Sequence, residues 1–134
     1  MDIERRIELF LSAPSFGVAG ASKNRDKFGN KILRCYLQHR MIAVPINPKE
    51  KEIEGITCAA SIEDLPDDVK SLSIVTPPAV TAQLAPEIIN KGVLSVWIQP
   101  GAEHPEAIAF LLEKGINVIA DGSCLLVVLG YHDD

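Results

Sequence analysis

Apolar residues recur along this chain with two alternating periods. Ile3, Ile7, Phe10 and Leu11 share one face of a helix that Asp2 can cap and Pro14 ends. Residues 15–20 are a compact apolar strand stopping at glycine, and 21–29 are a loop of small and charged residues. Ile32, Leu33, Tyr36 and Leu37 form a helical stripe over 30–39, and a second strand at 41–46 is closed by Asn47-Pro48. The stretch 49–70 is less regular, with a short edge strand expected near 56–58 and a turn of helix over 61–65. A strand at 72–76 then precedes Pro77-Pro78, and Pro78 suits a first helical position. Val80, Leu84 and Ile88 lie on one face of the following helix, which Pro86 should kink or shorten and Gly92 should stop. Residues 93–98 read as a buried strand, 105–115 as a helix opened by Pro105, and 116–120 as the last clear strand. The apolar stretch 124–130 fits a strand, a helix or a contact surface.

Strands thus alternate with helices from residue 15 to 120, the signature of a parallel sheet covered on both faces. Right-handed crossovers lead to a Rossmann-like, doubly wound α/β fold, as a single domain over 1–134. The expected strand order is 3-2-1-4-5-6, with strand 3 weak.

Composition agrees with that fold: of 134 residues, 47% are hydrophobic and only 5% aromatic, which suits an aliphatic, fully buried sheet. A formal charge of −5 argues against general binding to nucleic acid. Cys35, Cys58 and Cys124 are odd in number and widely spaced, so neither a disulfide framework nor a zinc knuckle is expected. The opening Met1-Asp2-Ile3-Glu4-Arg5-Arg6 is charged, no apolar run approaches membrane-spanning length, and a cytoplasmic setting with no membrane contact is expected.

In such a sheet a ligand binds outside the carboxyl ends of the strands, where the strand order reverses. That rule selects the loops after residues 20, 47, 76 and 99 before any motif is consulted. The first follows Gly17-Val18-Ala19-Gly20-Ala21-Ser22, whose small residues let backbone amides approach a phosphate. Ser22 adds a hydroxyl, the next helix start adds partial positive charge, and Lys23, Arg25 and Lys27 surround the turn. Glycine and alanine there also serve simple strand–helix packing. The dinucleotide pattern G-x-G-x-x-G is incomplete, because Ser22 and Arg25 stand where glycines belong. The end of the second strand carries Asn47-Pro48-Lys49 rather than the carboxylate that would bind ribose hydroxyls. A ligand with phosphate on its adenosine ribose is favoured, and both CoA and NADP meet that condition.

The segment 17–22 followed by Lys23-Asn24 and a helix resembles the opening of the CoA-binding domain family. So, in order, do Val44-Pro45-Ile46-Asn47-Pro48, the turn 61–66, Thr76-Pro77-Pro78 and Val96-Trp97-Ile98-Gln99-Pro100-Gly101. The same domain forms the N-terminal part of the succinyl-CoA synthetase α subunit. The resemblance implies that Ala19, Gly20, Ala21 and Ser22 cradle phosphates, and Lys27, from the cations around the turn, is expected beside them. It places Pro45, Asn47, Pro48 and Lys49 near the adenosine, and Thr76, Pro77, Ile98, Gln99 and Pro100 along the rest of the groove. The implied ligand is coenzyme A or an acyl-CoA. The family often carries an Asp-x-Cys turn after the last strand; here Asp121-Gly122-Ser123-Cys124 is one residue longer and an apolar stretch follows. That departure points to a self-association surface, a homodimer or a protein partner.

No catalytic set is legible. His39, His104 and His132 have no Ser, Cys or Asp partner in a triad pattern, and none has visible co-ligands for a metal. Cys35, Cys58 and Cys124 read as packing residues, Trp97 as core, and Glu63, Asp64, Asp67 and Asp68 as a solvated turn. The synthetases that use the domain need further domains for which 134 residues leave no room, so their activity does not follow from the fold. The leading expectation is a CoA-binding carrier, sensor or partner module without its own complete catalytic set. The alternatives are an NAD(P)-binding oxidoreductase or redox sensor, and a structural or regulatory subunit whose groove is empty.

Overall fold

The fully buried runs Ser15–Ala19, Ser71–Ile74, Ser95–Ile98 and Asn117–Ile119 are only three to five residues long, and each is a strand covered on both faces. The computed structural model describes residues 1–133. The helix α1 (Ile3–Leu11) leads into β1 (Ser15–Ala19), α2 (Phe28–Gln38) and β2 (Ile42–Ile46). A small hairpin, β3 (Glu52–Ile53) and β4 (Ile56–Thr57), and a 3₁₀ turn at Ile62–Asp64 precede β5 (Ser71–Ile74). Then come α3 (Pro78–Lys91), β6 (Ser95–Ile98), α4 (Pro105–Glu113), β7 (Asn117–Ile119) and α5 (Leu125–Leu129). Asp2 caps α1 as expected, accepting from the Arg5 amide at 2.9 Å.

The sheet is parallel and five-stranded, in the order β2-β1-β5-β6-β7. The reversal between β1 and β5 makes their carboxyl ends the switch point. The expected third strand does not join as a strand. Its residues pair antiparallel with Glu52–Ile53, and only a parallel bridge from Ile46 to Ala59 holds the sheet edge. The physical reason lies in the turn: Glu54 (φ 51°) and Gly55 (φ 79°) both take left-handed backbone, which closes a two-residue hairpin.

Alternating strand positions feed two cores. Ile46, Leu72, Ile74, Val96 and Ile98 pack with Ala85, Ile88 and Leu111 of α3 and α4. Phe16, Val18 and Trp97 pack with Phe10 of α1, Ile32, Leu33 and Tyr36 of α2, and Leu125 of α5. Phe10 meets Trp97 edge-on at 5.4 Å, and Phe16 stacks on Tyr36 at 4.8 Å. Each such fully buried side chain contributes about 1.5–3 kcal/mol relative to exposure.

Two readings left open by the sequence are narrowed. Pro86 does not shorten α3, which runs on to Lys91 and ends at Gly92 in left-handed conformation. Pro86 is exposed, so the carbonyl it leaves unpaired one turn earlier falls on the solvent side. The apolar stretch after Cys124 is a short helix that buries Leu125 and exposes Val127. No helix among the described residues is long and apolar enough to cross a membrane.

Candidate ligand-binding site

β1 delivers the chain to Gly20, which sits at φ 90° with its backbone pressed on β5. A Cβ there would lie 2.4 Å from the Val75 carbonyl oxygen, so only glycine fits. The following loop folds on its own polar groups. The Ser22 Oγ accepts from the Asn24 amide at 3.1 Å, which leaves its hydroxyl hydrogen to donate elsewhere. The Asn24 Oδ1 accepts from the Asp26 amide at 3.0 Å. Gly29, in the first turn of α2, then returns to Gly20: a Cβ on it would lie 2.0 Å from the Gly20 carbonyl oxygen. The glycine for close helix–strand packing is therefore Gly29, nine residues after Gly20, and neither Ser22 nor Arg25 occupies that role.

Carbonyl oxygens repel an anion, and this loop has two of them tied back. The Asn47 side-chain amide donates to the Ala21 carbonyl at 3.0 Å, and that of Asn30 donates to the Ser22 carbonyl at 2.8 Å. In a trans peptide the next N–H points the opposite way, so the amides of Ser22 and Lys23 turn away from those carbonyls. The N-cap of α2 is Lys27, whose side chain makes no capping bond. Among the described residues the amides of Phe28 and Gly29 at the start of α2 therefore have no capping acceptor, whereas the Asn30 amide donates to the Lys27 carbonyl at 3.1 Å.

A cleft of about 370 Å³ opens here, lined by Gly20, Ala21, Ser22, Lys27, Phe28 and Gly29, with Asn47, Val75, Thr76 and Pro77 across from them. Among the described residues no carboxylate lines it. Of the three basic residues around the turn, Lys23 pairs with Glu50 at 3.4 Å and Arg25 pairs with Glu54. Lys27 makes no ion pair among the described residues and lines the cleft. Helix start, free amides and one cation together give this cleft the chemistry of a candidate anion site.

A second cleft of about 330 Å³ shares Gly20, Ala21, Asn47 and Thr76 with the first. Its other walls include Ala19, Ile46, Pro48, Ile62, Val80 and Leu84. Its lining is dominated by aliphatic side chains, with Glu87 also part of its wall. Asn47 stands at the junction and is fully engaged, its Oδ1 accepting from the amides of Lys49 (2.8 Å) and Glu50 (3.0 Å). The Thr76 hydroxyl bonds that of Thr81 at 2.7 Å, which fixes the opposite wall.

Nine of the residues singled out from sequence come together on these two clefts: Ala19, Gly20, Ala21, Ser22, Lys27, Asn47, Pro48, Thr76 and Pro77. Pro45, Lys49, Ile98, Gln99 and Pro100 line neither. Pro45 is buried in β2 and its carbonyl accepts from the Ala59 amide. Lys49 is exposed beside Pro48, and Pro100 is exposed beyond β6. Ile98 packs into the core under α3 and α4. Gln99 is fully buried; its Oε1 accepts from the Leu125 amide at 3.0 Å, and its Nε2 has no partner among the described residues.

None of the three cysteines, Cys35, Cys58 and Cys124, lines either cleft. Burial, with Cys124 nearby, pushes the Cys35 thiol up to about 11, and burial raises that of Cys58, with Glu50 and Glu52 adding to it. Neither is poised as a thiolate near neutral pH. Among the described residues no group of three or more His, Cys, Asp and Glu side chains is arranged to hold a metal ion.

The wider comparison agrees with this geometry. Residues 14–129 match the model of the CoA binding domain. An ADP-forming acetate–CoA ligase of Methanocaldococcus jannaschii is 38% identical over 112 residues, covering 83% of this chain and 16% of the ligase. The α subunit of acetate–CoA ligase II of Pyrococcus furiosus is 28% identical, covering 69% of this chain and 20% of the subunit. The chain thus spans no more than about a fifth of these relatives. Among solved structures, a conserved hypothetical protein of Pyrococcus furiosus superposes with a TM-score of 0.81 at 39% identity, covering 85% of this chain and 97% of that one. With the phosphate-type turn, the carboxylate-free cleft and a family match over nearly its whole length, this chain belongs to the CoA-binding domain family.

Proposed function

We propose that this chain binds coenzyme A, or an acyl-CoA, by its ADP end. The diphosphate occupies the cleft at the start of α2, where Ser22, the free amides and Lys27 receive it. The adenine occupies the adjoining aliphatic cleft between Ile46, Ile62, Val80 and Leu84. Lys49, exposed next to Pro48 though it lines neither cleft, reaches the ribose phosphate. The observation that carries this reading is the junction of the two clefts at Gly20, one rich in donors and free of carboxylate, the other apolar. That pairing matches a ligand with an anionic middle and a flat apolar end.

The chain itself does no more than bind and orient. Neither cleft is lined by a cysteine or a histidine among the described residues, and we read the chain as a carrier, sensor or partner module. The ligase relatives, of which this chain matches only 16% and 20%, support a role beside other polypeptide.

Calorimetric titration with CoA, dephospho-CoA, NADP and NAD tests this directly. CoA binds tightest, and dephospho-CoA binds more weakly because it leaves Lys49 without its phosphate. Equal affinity for CoA and dephospho-CoA removes the role of Lys49. Tighter binding of NADP than of CoA, or no thermal protection by CoA, overturns the reading.

A further inference from the structure

On α2 lies a buried arginine that lines neither cleft. Arg34 sits in the middle of α2 with its side chain only 7% exposed. Its three kinds of nitrogen each have a different partner. Nε donates to the Asn30 Oδ1 at 2.6 Å, Nη2 to the Arg25 carbonyl at 2.6 Å, and Nη1 pairs with Asp133 at 3.3 Å. A buried charge is held only where its donors are satisfied, so these partners fix one another.

The bond to Asn30 determines which way that side-chain amide faces. With its oxygen held by Arg34, the Asn30 NH₂ group is directed to the Ser22 carbonyl at 2.8 Å and to Glu54 at 3.2 Å. Without Arg34, the amide can turn over and present oxygen to oxygen at Ser22. The Ser22 carbonyl is one of the two that must be tied back for the loop to face an anion. Glu54 adds a second tie, being held at positive φ while its carboxylate bonds both Asn30 and Arg25.

Arg34 is in turn held by residues 130–133, which dock along α2. The Tyr131 ring lies 5.5 Å from the guanidinium and its hydroxyl donates to Asp133 at 3.0 Å. Lys31 pairs with Asp133 at 3.6 Å. Gln38 clasps the His132 backbone through both ends of its amide, at 2.6 and 3.0 Å, and the His39 ring bonds the Gly130 carbonyl at 2.6 Å.

We propose that Arg34 is a positioning residue for the phosphate loop, and that residues 130–133, docked on α2, hold Arg34 in the orientation that keeps the loop ready for an anion. The proposal rests on the CoA reading for its ligand but not for its mechanics. Binding of the diphosphate and docking of this segment are therefore linked, and each strengthens the other.

The test pairs two probes with two measurements on the intact chain. The probes are CoA and adenosine 3′-phosphate, which lacks the diphosphate. The measurements are affinity by NMR titration and amide hydrogen exchange over residues 22–27 in the free protein. The double variant Tyr131→Ala with Asp133→Ala touches only the docked segment. It loses about fivefold in CoA affinity, the size of one surface ion pair plus one cation–π contact, and exchange over 22–27 speeds up to match. Affinity for adenosine 3′-phosphate stays within about twofold of the parent, the additivity expected of a site Arg34 does not touch. Arg34→Lys, which keeps the charge but not the fork, falls with the double variant. An equal loss for both probes reduces Arg34 to general stability and overturns the proposal. So does unchanged exchange over 22–27 in the double variant. If the parent chain fails to bind CoA, the ligand reading falls, while the exchange result still decides the linkage.

Discussion

The two ends of the sheet carry cavities of opposite character. At the amino ends of the strands lies a groove of about 660 Å³, larger than either cleft at the carboxyl ends. Met1, Leu9, Leu94 and Leu112 line it and are all exposed. Yet the buried polar groups at this end are satisfied by the protein. Ser71 donates to the Phe10 carbonyl at 2.8 Å, and Ser15 donates to the Asp68 carbonyl at 3.4 Å. Asn117 donates to the Arg6 carbonyl at 2.9 Å and accepts from the Arg6 guanidinium at 3.2 Å. At the carboxyl ends the balance is reversed: carbonyls are tied back by Asn30 and Asn47, and donors are left open. What marks a site in this fold is the unspent hydrogen-bonding capacity, not the volume.

The sharpest way to break that contrast is to fill the tightest contact at the carboxyl end. Gly29→Ala puts a methyl 2.0 Å from a backbone oxygen that cannot rotate away. We expect a loss of about 3 kcal/mol in unfolding free energy, at the upper end of overpacking effects, together with loss of CoA binding. Thermal denaturation and titration of the same sample check both. A stable variant that binds CoA as the parent does would mean that the contact between α2 and Gly20 is not needed for the cleft.

The same position shows what could be read from the chain beforehand. The strand–helix alternation, the switch point and Gly20 were all legible, because periodicity and a glycine at a strand end are local signals. Gly29 was written in the sequence too, but its role depends on how far the loop travels before α2 begins. The spacing differs from the dinucleotide pattern, so the pattern pointed to Ser22 and Arg25 instead. Arg34 and Glu54 were harder still. A helix-interior arginine and a hairpin glutamate acquire meaning only when β3 and β4 leave the main sheet and bring Glu54 beside Asn30. Ile98, Gln99 and Pro100 show the converse, since a strand end at the sheet's carboxyl edge need not line either cleft.

At the amino end the corresponding lesion is Asn117→Ala. It strips the Arg6 carbonyl of its partner and removes a bond to the Ser95 hydroxyl at 3.2 Å. Leaving buried groups unpaired costs about 2 kcal/mol here. Stability falls by that amount in a denaturant titration, while CoA affinity of the folded protein is unchanged. A matching loss of affinity would tie the two ends together and undo the contrast.

Lys27→Ala makes the complementary change. Lys27 is exposed and makes no ion pair among the described residues, so its removal leaves stability within about 0.5 kcal/mol of the parent. CoA affinity falls about tenfold, as for one charge-assisted bond, and the affinity that remains depends less steeply on salt. Equal salt slopes in variant and parent would show that Lys27 does not reach the phosphates.

The smallest expected effects come from the most conspicuous apolar surface. Leu94 is 62% exposed and Leu112 is 44% exposed, both on the rim of the amino-end groove. Leu94→Ser and Leu112→Ser each remove area that is already largely wet, so stability moves by no more than about 0.5 kcal/mol. They lie at the end of the strands where the buried polar groups already have partners, so CoA affinity does not move at all. A fall in CoA affinity in either variant, with the fold intact by circular dichroism, would transfer the ligand to the amino end. Volume would then outrank open donors as the guide to the site. Unchanged affinity in both, beside the loss in Lys27→Ala, assigns recognition to the end whose amides still lack acceptors.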